Sequence, residues 1–180
     1  MASQLKGNYI MKQVPNVTFK VRSRNVDTGD FEWQHPTTAD YFGGKRVVMF
    51  SLPGAFTPTC STNQVPGFDV LYDQIIEAGV DEVYCVSCND AFVMNAWAED
   101  LRVKNVKFIP DGSCEFTAGM EMLVAKDNLG FGKRSWRYAA VVEDGVVEKM
   151  FVEPGFEDDC PTDPYGESAP ENVLAYLKGE

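Results

Sequence analysis

Cys60 closes the segment Leu52-Pro-Gly-Ala-Phe-Thr-Pro-Thr-Cys60, and no other nucleophile of this chain is so well prepared by its neighbours. The segment leaves an apolar run through Pro53 and Gly54, passes Pro58 and enters a helical pattern at residues 59–60. That places Cys60 in the first turn of a helix, where unpaired backbone N–H groups and the positive end of the helix dipole favour a thiolate over a thiol. Thr57, three residues earlier, brings a hydroxyl within hydrogen-bond reach of the sulfur or of a substrate oxygen. Pro53 and Pro58 offer no N–H and can wall off water. The chemistry indicated is that of an activated thiolate nucleophile. It has to work without imidazole: His35 is the only histidine, which removes Ser-His-Asp triads, Cys-His dyads and most zinc sites.

Five cysteines (Cys60, Cys85, Cys88, Cys114 and Cys160) are an odd number in a chain long enough to build its own core, unlike a small disulfide framework. Cys85-Val-Ser-Cys88 is formally a C-x-x-C pair, the spacing of a redox dithiol or half a zinc site. Its placement argues against both. Redox pairs open a helix, whereas this one runs through a strand end where residues three apart face opposite sides. Zinc would need two further ligands that the sequence does not offer. Cys114, in the turn Asp111-Gly-Ser-Cys114, reads as incidental.

The elements that must position Cys60 follow from the apolar pattern. β-Branched runs bounded by turn residues predict strands over residues 17–22, 45–51, 82–86, 138–143 and 146–152. Helical patterns fall at residues 65–78, 91–101, 117–122 and 171–178, the second capped by Asn89 or Asp90. Asp144-Gly145 between two strand runs is a two-residue hairpin signal. The alternation makes an α/β fold, a central mixed sheet flanked by helices, with its site beyond the carboxyl ends of the strands. That points to the segment directly after residues 45–51. No repeat or linker interrupts the chain, so residues 1–180 read as one domain.

Sixteen Lys and Arg against 27 Asp and Glu leave a formal charge of −11, a field that repels nucleic acid and anionic membranes. No apolar run approaches the roughly 18 residues of a transmembrane helix. The N-terminal stretch lacks the apolar centre of a secretory signal, which points to the cytoplasm.

Pro53-x-x-x-Thr57-x-x-Cys60 resembles the active-site pattern of the peroxiredoxins, and PGAFTPTCS is similar to their type-5 (type II) subfamily almost letter for letter. The resemblance runs on through VYCVSCNDAFVMNAW, FIPDG and GFGKRSWRYAAVVEDG and covers about residues 5 to 180. It implies a thioredoxin-like fold and thiol-dependent reduction of hydrogen peroxide and organic hydroperoxides, without metal or organic cofactor. In this reading Cys60 is the peroxidatic cysteine, oxidised to a sulfenic acid, and Pro53 and Thr57 shape its pocket. The arginine that the family sets beside the sulfur falls on Arg137, with Arg134 as a candidate second donor.

The thiol that resolves the sulfenic acid stays open. Cys160 lies in a polar loop after the last strand, near where some type-5 relatives place a resolving cysteine. Cys85 matches a second cysteine of plant-type relatives but sits in the apolar run VYCV and reads better as core. FVMNAW and GFGKRSWRY look like a bacterial group with members fused to a glutaredoxin; no such segment follows through Glu180. The expected reductant is therefore a separate glutaredoxin with glutathione, and thioredoxin acting on a Cys60–Cys160 disulfide is the alternative. The subfamily implies a homodimer, for which an exposed Phe56 would suit the interface. A peroxide sensor that relays oxidation to a partner is the competing function.

Overall fold

In the computed structural model, which describes residues 12–180, the chain order is β1 (Val21–Arg24), β2 (Phe31–Gln34), α1 (Thr38–Phe42), β3 (Arg46–Ser51), a π-helical turn (Cys60–Gln64), α2 (Val65–Val70), α3 (Tyr72–Glu77), β4 (Glu82–Ser87), α4 (Ala91–Asp100), β5 (Lys107–Pro110), α5 (Glu115–Gly119), β6 (Leu123–Ala125), a 3₁₀ turn (Asp127–Leu129), β7 (Lys133–Ser135), β8 (Tyr138–Glu143), β9 (Val146–Val152) and α6 (Pro170–Leu177). The reading of the N-terminal stretch as free of a signal falls mostly outside the described residues.

The central sheet has the order β5-β4-β3-β8-β9. β3, β4 and β5 run parallel, while β8 and β9 are antiparallel to their neighbours, so the sheet is mixed as expected. Asp144 and Gly145 both take positive φ (46° and 77°), the backbone of the tight hairpin that their sequence announced. β3 and β4 are covered on both faces, which explains their unbroken apolar runs. Val48, Phe50, Val83 and Cys85 point to one side and pack with Phe68, Ile75, Met94, Trp97 and Val173 from α2, α3, α4 and α6. Val47, Met49, Tyr84 and Val86 point to the other and meet Phe19, Phe42, Phe116 and Met120. The period of two along a strand thus divides the core into two layers.

Four differences from the sequence reading have physical reasons. Residues 17–20 contribute only a bridge from Thr18 to Thr37, and the strand starts at Val21, paired with β2 in a separate hairpin. β2 escaped notice because it is only four residues long, although Phe31-Glu-Trp-Gln34 alternates apolar and polar; all four are exposed. The helix expected over residues 65–78 is two helices joined at Leu71 (φ −88°, ψ 2°). Pro66 and Gly67 weaken its first turn, and a Cβ at Gly67 would stand in tight contact, 3.0 Å from Pro170 Cγ at the start of α6. β5 to β7 and α1 are too short, at three to five residues each, to show a period.

Candidate active site

β3 ends at Ser51, whose hydroxyl donates to the Val86 carbonyl (2.7 Å) and ties the strand end to β4. The chain then turns back over the sheet through Pro53–Thr57 and enters helix at Pro58. Three contacts clamp this loop. Asn89 Oδ1 accepts from Ala55 N (2.9 Å), Arg134 Nη1 donates to the Pro53 carbonyl (3.0 Å), and Thr57 Oγ1 donates to the Gly54 carbonyl (2.7 Å). A Cβ at Gly54 would collide with the Arg134 guanidinium, so the close approach requires glycine. Phe56, at the tip, has φ 64° and is half exposed.

After Pro58 and Thr59 the helix widens into a π turn, with Val65 N bonded to the Cys60 carbonyl. The cause is Pro66: in regular α-helix its ring would press on the Thr62 carbonyl, and one wider turn relieves the clash. Cys60 stands first in that turn with no exposed surface.

Arg137 reaches the sulfur from the residue just before β8. Its Nη1 lies 3.4 Å from Cys60 Sγ and donates to Gln64 Oε1 at 2.5 Å; Nη2 donates to Asp163 Oδ1 (2.6 Å) and Nε to the Pro164 carbonyl (3.2 Å). The Tyr165 ring flanks the guanidinium at 5.8 Å. Burial alone would lower the pKa of Arg137, but the Cys60 sulfur and the Asp163 carboxylate reverse that and raise it. The guanidinium is therefore held charged, 3.4 Å from the sulfur.

Behind Arg137 a second layer fixes the geometry. Gln64 lies 3.5 Å from Ser168 Oγ, which donates to Glu153 Oε1 (3.1 Å). Glu153, itself buried, also accepts backbone N–H groups from Gly166, Glu167 and Ser168 and so folds the loop that presents Asp163 and Pro164. Sequence reasoning missed Gln64, Asp163 and Glu153. Gln64 had a signal, since it follows Cys60 by one helical turn; the other two sit in what read as a polar loop.

One expectation needs correction and two are narrowed. The Thr57 hydroxyl spends its proton on Gly54, so towards the pocket it is an acceptor rather than a donor. Cys160 is not in an open polar loop: it is buried against Val124 and Trp136, with Sγ 3.6 Å from Thr162 Oγ1. Arg134 braces the loop through Pro53 and Phe131, and among the described residues it makes no hydrogen bond to Cys60. Cys85 is core, as expected, in the same apolar cluster as Cys60. Burial, and then the neighbouring Cys60, push its thiol pKa well up. Beside the sulfur a cleft of about 280 Å³ is lined by Pro53, Thr57, Pro58, Leu129, Phe131 and Cys160.

Known proteins agree with this geometry. The Redoxin family matches residues 12–163. A peroxiredoxin from Rhizobium etli is 61% identical over 93% of this chain and 95% of its own length. Among solved structures, the antioxidant protein of Plasmodium falciparum, a 1-Cys peroxiredoxin, superposes with a TM-score of 0.89 at 38% identity, covering 94% of this chain and 99% of that one. Reduced Prx3 of Vibrio vulnificus in complex with hydrogen peroxide gives 0.80 at 35% identity, over 99% and 97% of the two chains. Likeness of this extent, with a cysteine–arginine contact at the buried carboxyl end of β3, establishes that the chain belongs to the peroxiredoxins, thiol peroxidases of the redoxin family.

Proposed function

We propose that Cys60 is the peroxidatic residue and that a glutaredoxin with glutathione returns it to the thiol. The observation that carries this is the contact between Arg137 and Cys60 Sγ inside a fully covered pocket. The thiolate attacks one peroxide oxygen: an S–O bond forms, the O–O bond breaks, and the leaving oxygen departs with a proton as water or an alcohol. Arg137 offsets negative charge on sulfur and on the oxygens during transfer, and Thr57 accepts from the peroxide O–H. Pro53 excludes water from the sulfur. Glutathione attacks the sulfenic sulfur: an S–S bond forms, the S–O bond breaks, the oxygen leaves as water with the glutathione proton, and glutaredoxin then exchanges the mixed disulfide. Burial of Cys160, and the description of the Plasmodium relative as a 1-Cys enzyme, favour this route.

A second reading has thioredoxin reducing a Cys60–Cys160 disulfide, favoured by one observation: Cys160 lines the same cleft as Pro53 and Thr57. The half-exposed Phe56 beside the site supports assembly as a homodimer, and the odd cysteine count suits the reducing cytoplasm.

The test is hydrogen peroxide consumption by wild type, Cys60→Ser and Cys160→Ser, each with glutaredoxin plus glutathione or thioredoxin plus its reductase. Wild type and Cys160→Ser both turning over with glutaredoxin supports the first reading. Turnover by wild type alone, with thioredoxin, installs the second. Peroxide consumption by Cys60→Ser at the wild-type rate removes Cys60 from the role. Rapid Cys60 oxidation with no turnover in either system favours a sensor.

A further inference from the structure

Lys126 directly follows β6, and its surroundings are unusual for a lysine. It is only 3% exposed, and among the described residues it forms no ion pair and its ammonium makes no hydrogen bond. The carboxylates around it are engaged elsewhere: Asp163 with Arg137 Nη2 (2.6 Å), Asp158 with Ala125 N (2.7 Å) and Asp159 with Asn128 N (3.0 Å). What flanks the ammonium is the Trp136 ring, 5.6 Å from Nζ. A buried charge with no opposite charge is costly, and an anion brought beside it offsets that cost.

The direction in which this ammonium opens follows from its neighbours. Lys126 borders two spaces: a seam between Pro53, Trp136, Arg137 and Asp163 that admits no water, and the cleft of about 280 Å³ beside Pro53 and Thr57. Among the described residues no fully covered side-chain nitrogen or oxygen lacks a hydrogen-bond partner, so Nζ, which has none, keeps contact with open space, and the cleft is the space with room. The Lys126 backbone builds the rest of the wall. Its N–H donates to the Gly132 carbonyl (2.8 Å) and its carbonyl accepts from Leu129 N and Phe131 N (3.1 Å each), which sets Leu129 and Phe131 in the cleft beside Pro58. Leu129 is 56% exposed, an apolar surface still to be covered. The polar donors there are spent, Asn128 Nδ2 on the Asp159 and Cys160 carbonyls (3.4 Å each) and the Thr57 hydroxyl on Gly54. The cleft is thus a hydrocarbon wall with one uncompensated cation, next to the peroxidatic loop.

We propose that Lys126 is a specificity-determining residue of the peroxidase: its ammonium takes the carboxylate of an alkyl hydroperoxide whose chain lies on Leu129, Phe131 and Pro58 and whose O–O group reaches Cys60 past Pro53 and Thr57. The inference rests on Cys60 being the peroxidatic residue. At about 30 Å³ for each group the size of a water molecule, the cleft holds about nine of them, which suits a six-carbon hydroperoxy acid and is too small for a tripeptide such as glutathione. In the reaction the Cys60 thiolate bonds the outer peroxide oxygen, the O–O bond breaks, and the hydroperoxide's own proton goes to the leaving oxygen. The products are a Cys60 sulfenate and the hydroxy acid, with the carboxylate unchanged. The formal charge of −11 repels anions from the molecule as a whole, so a preference for a carboxylate substrate has to come from a local cation.

The experiment compares 4-hydroperoxy-4-methylpentanoate with its methyl ester, read as the ratio of their second-order rates of Cys60 oxidation in a single turnover, so that no reductant enters. Wild type should oxidise with the acid at least about tenfold faster than with the ester, Lys126→Arg should keep that preference, and Lys126→Met should lose it. A wild-type ratio at or below one, or a ratio unchanged in folded Lys126→Met, overturns the proposal. A second arm uses Cys60→Ser, which lacks the reacting sulfur, with 4-methylpentanoate and 4-methylpentanamide as probes and the lysine ¹³Cε resonances as readout. The carboxylate should shift one resonance, the one missing from Cys60→Ser/Lys126→Arg, and the amide should not; equal response to the amide, or shifts confined to other lysines, overturns the site. This arm decides the matter even where Lys126→Met fails to fold. Absence of Cys60 oxidation by any hydroperoxide, with the carboxylate still held at Lys126, would overturn the peroxidatic assignment and leave the carboxylate site standing.

Discussion

Cys60 and Cys85 lie in one apolar cluster, and each is fully covered. They differ in what touches the sulfur. Cys85, mid-strand in β4 between Phe50 and Phe108, is surrounded by hydrocarbon, and burial holds it as a neutral thiol. Cys60 has the guanidinium of Arg137 at 3.4 Å, carried there by a residue 77 positions away. Burial by itself silences a thiol; burial beside a fixed positive charge makes a nucleophile of it, because both the charge and the sulfur act in a medium that screens them little. The difference lies in tertiary contact, since by composition VYCVS is as welcoming to a cysteine as PTCST.

The largest test of that comparison is Arg137→Met. It keeps the bulk and removes the charge, and the second-order rate with hydrogen peroxide should fall about 10²- to 10³-fold, the magnitude seen when one preorganised donor is lost. Arg137→Lys should recover only part of that, because a single ammonium cannot span Cys60, Gln64, Asp163 and Pro164 together. A wild-type rate in Arg137→Met would collapse the distinction between the two thiols.

Arg134→Ala sharpens the comparison at lower amplitude. Loss of the brace on Pro53 loosens the loop without touching the sulfur, and a drop of about tenfold in peroxide rate is expected, with thermal stability lowered by about 1 kcal/mol for the lost hydrogen bond.

Cys85 should reveal itself in stability rather than in rate. Its folded pKa is raised above an ordinary value near 9, so the folded chain keeps a proton that the unfolded chain releases. Its contribution is fully present below pH 9 and is lost as pH climbs towards the folded value, at up to about 1.4 kcal/mol per pH unit. Urea midpoints measured between pH 8 and 10.5 should therefore fall more steeply in wild type than in Cys85→Val. The smallest effect expected is on turnover: Cys85→Val should reduce peroxide within about twofold of wild type, since a volume-conserving apolar swap leaves the cluster packed. A large loss of turnover would make Cys85 part of the catalytic cycle.

The order of strands and helices was legible because each long element carries its own period, and the Asp144-Gly145 hairpin because its turn residues need positive φ. Cys60 and Pro53 were legible for a similar reason. A proline-framed cysteine at a strand-to-helix turn is a local arrangement, complete within nine residues. What the sequence did not disclose lies at long separation or in irregular chain. Asp163 and Pro164 meet Arg137 only because Glu153 gathers the backbone N–H groups of residues 166–168, and a loop organised by one buried carboxylate has no period to read. The burial of Cys160 follows from Trp136 and Val124 closing over it, although its acidic neighbours mark it as surface. What the Thr57 hydroxyl bonds was open in the sequence; in the fold the nearby Gly54 carbonyl takes its proton. The contact of Cys88 with Thr117 joins a strand end to a helix turn 29 residues on. Sequence alone determined which atoms are available for chemistry, since that is a matter of residue type and local geometry. The tertiary structure decided which sulfur meets a guanidinium and which meets only hydrocarbon, because those contacts join segments that only packing brings together.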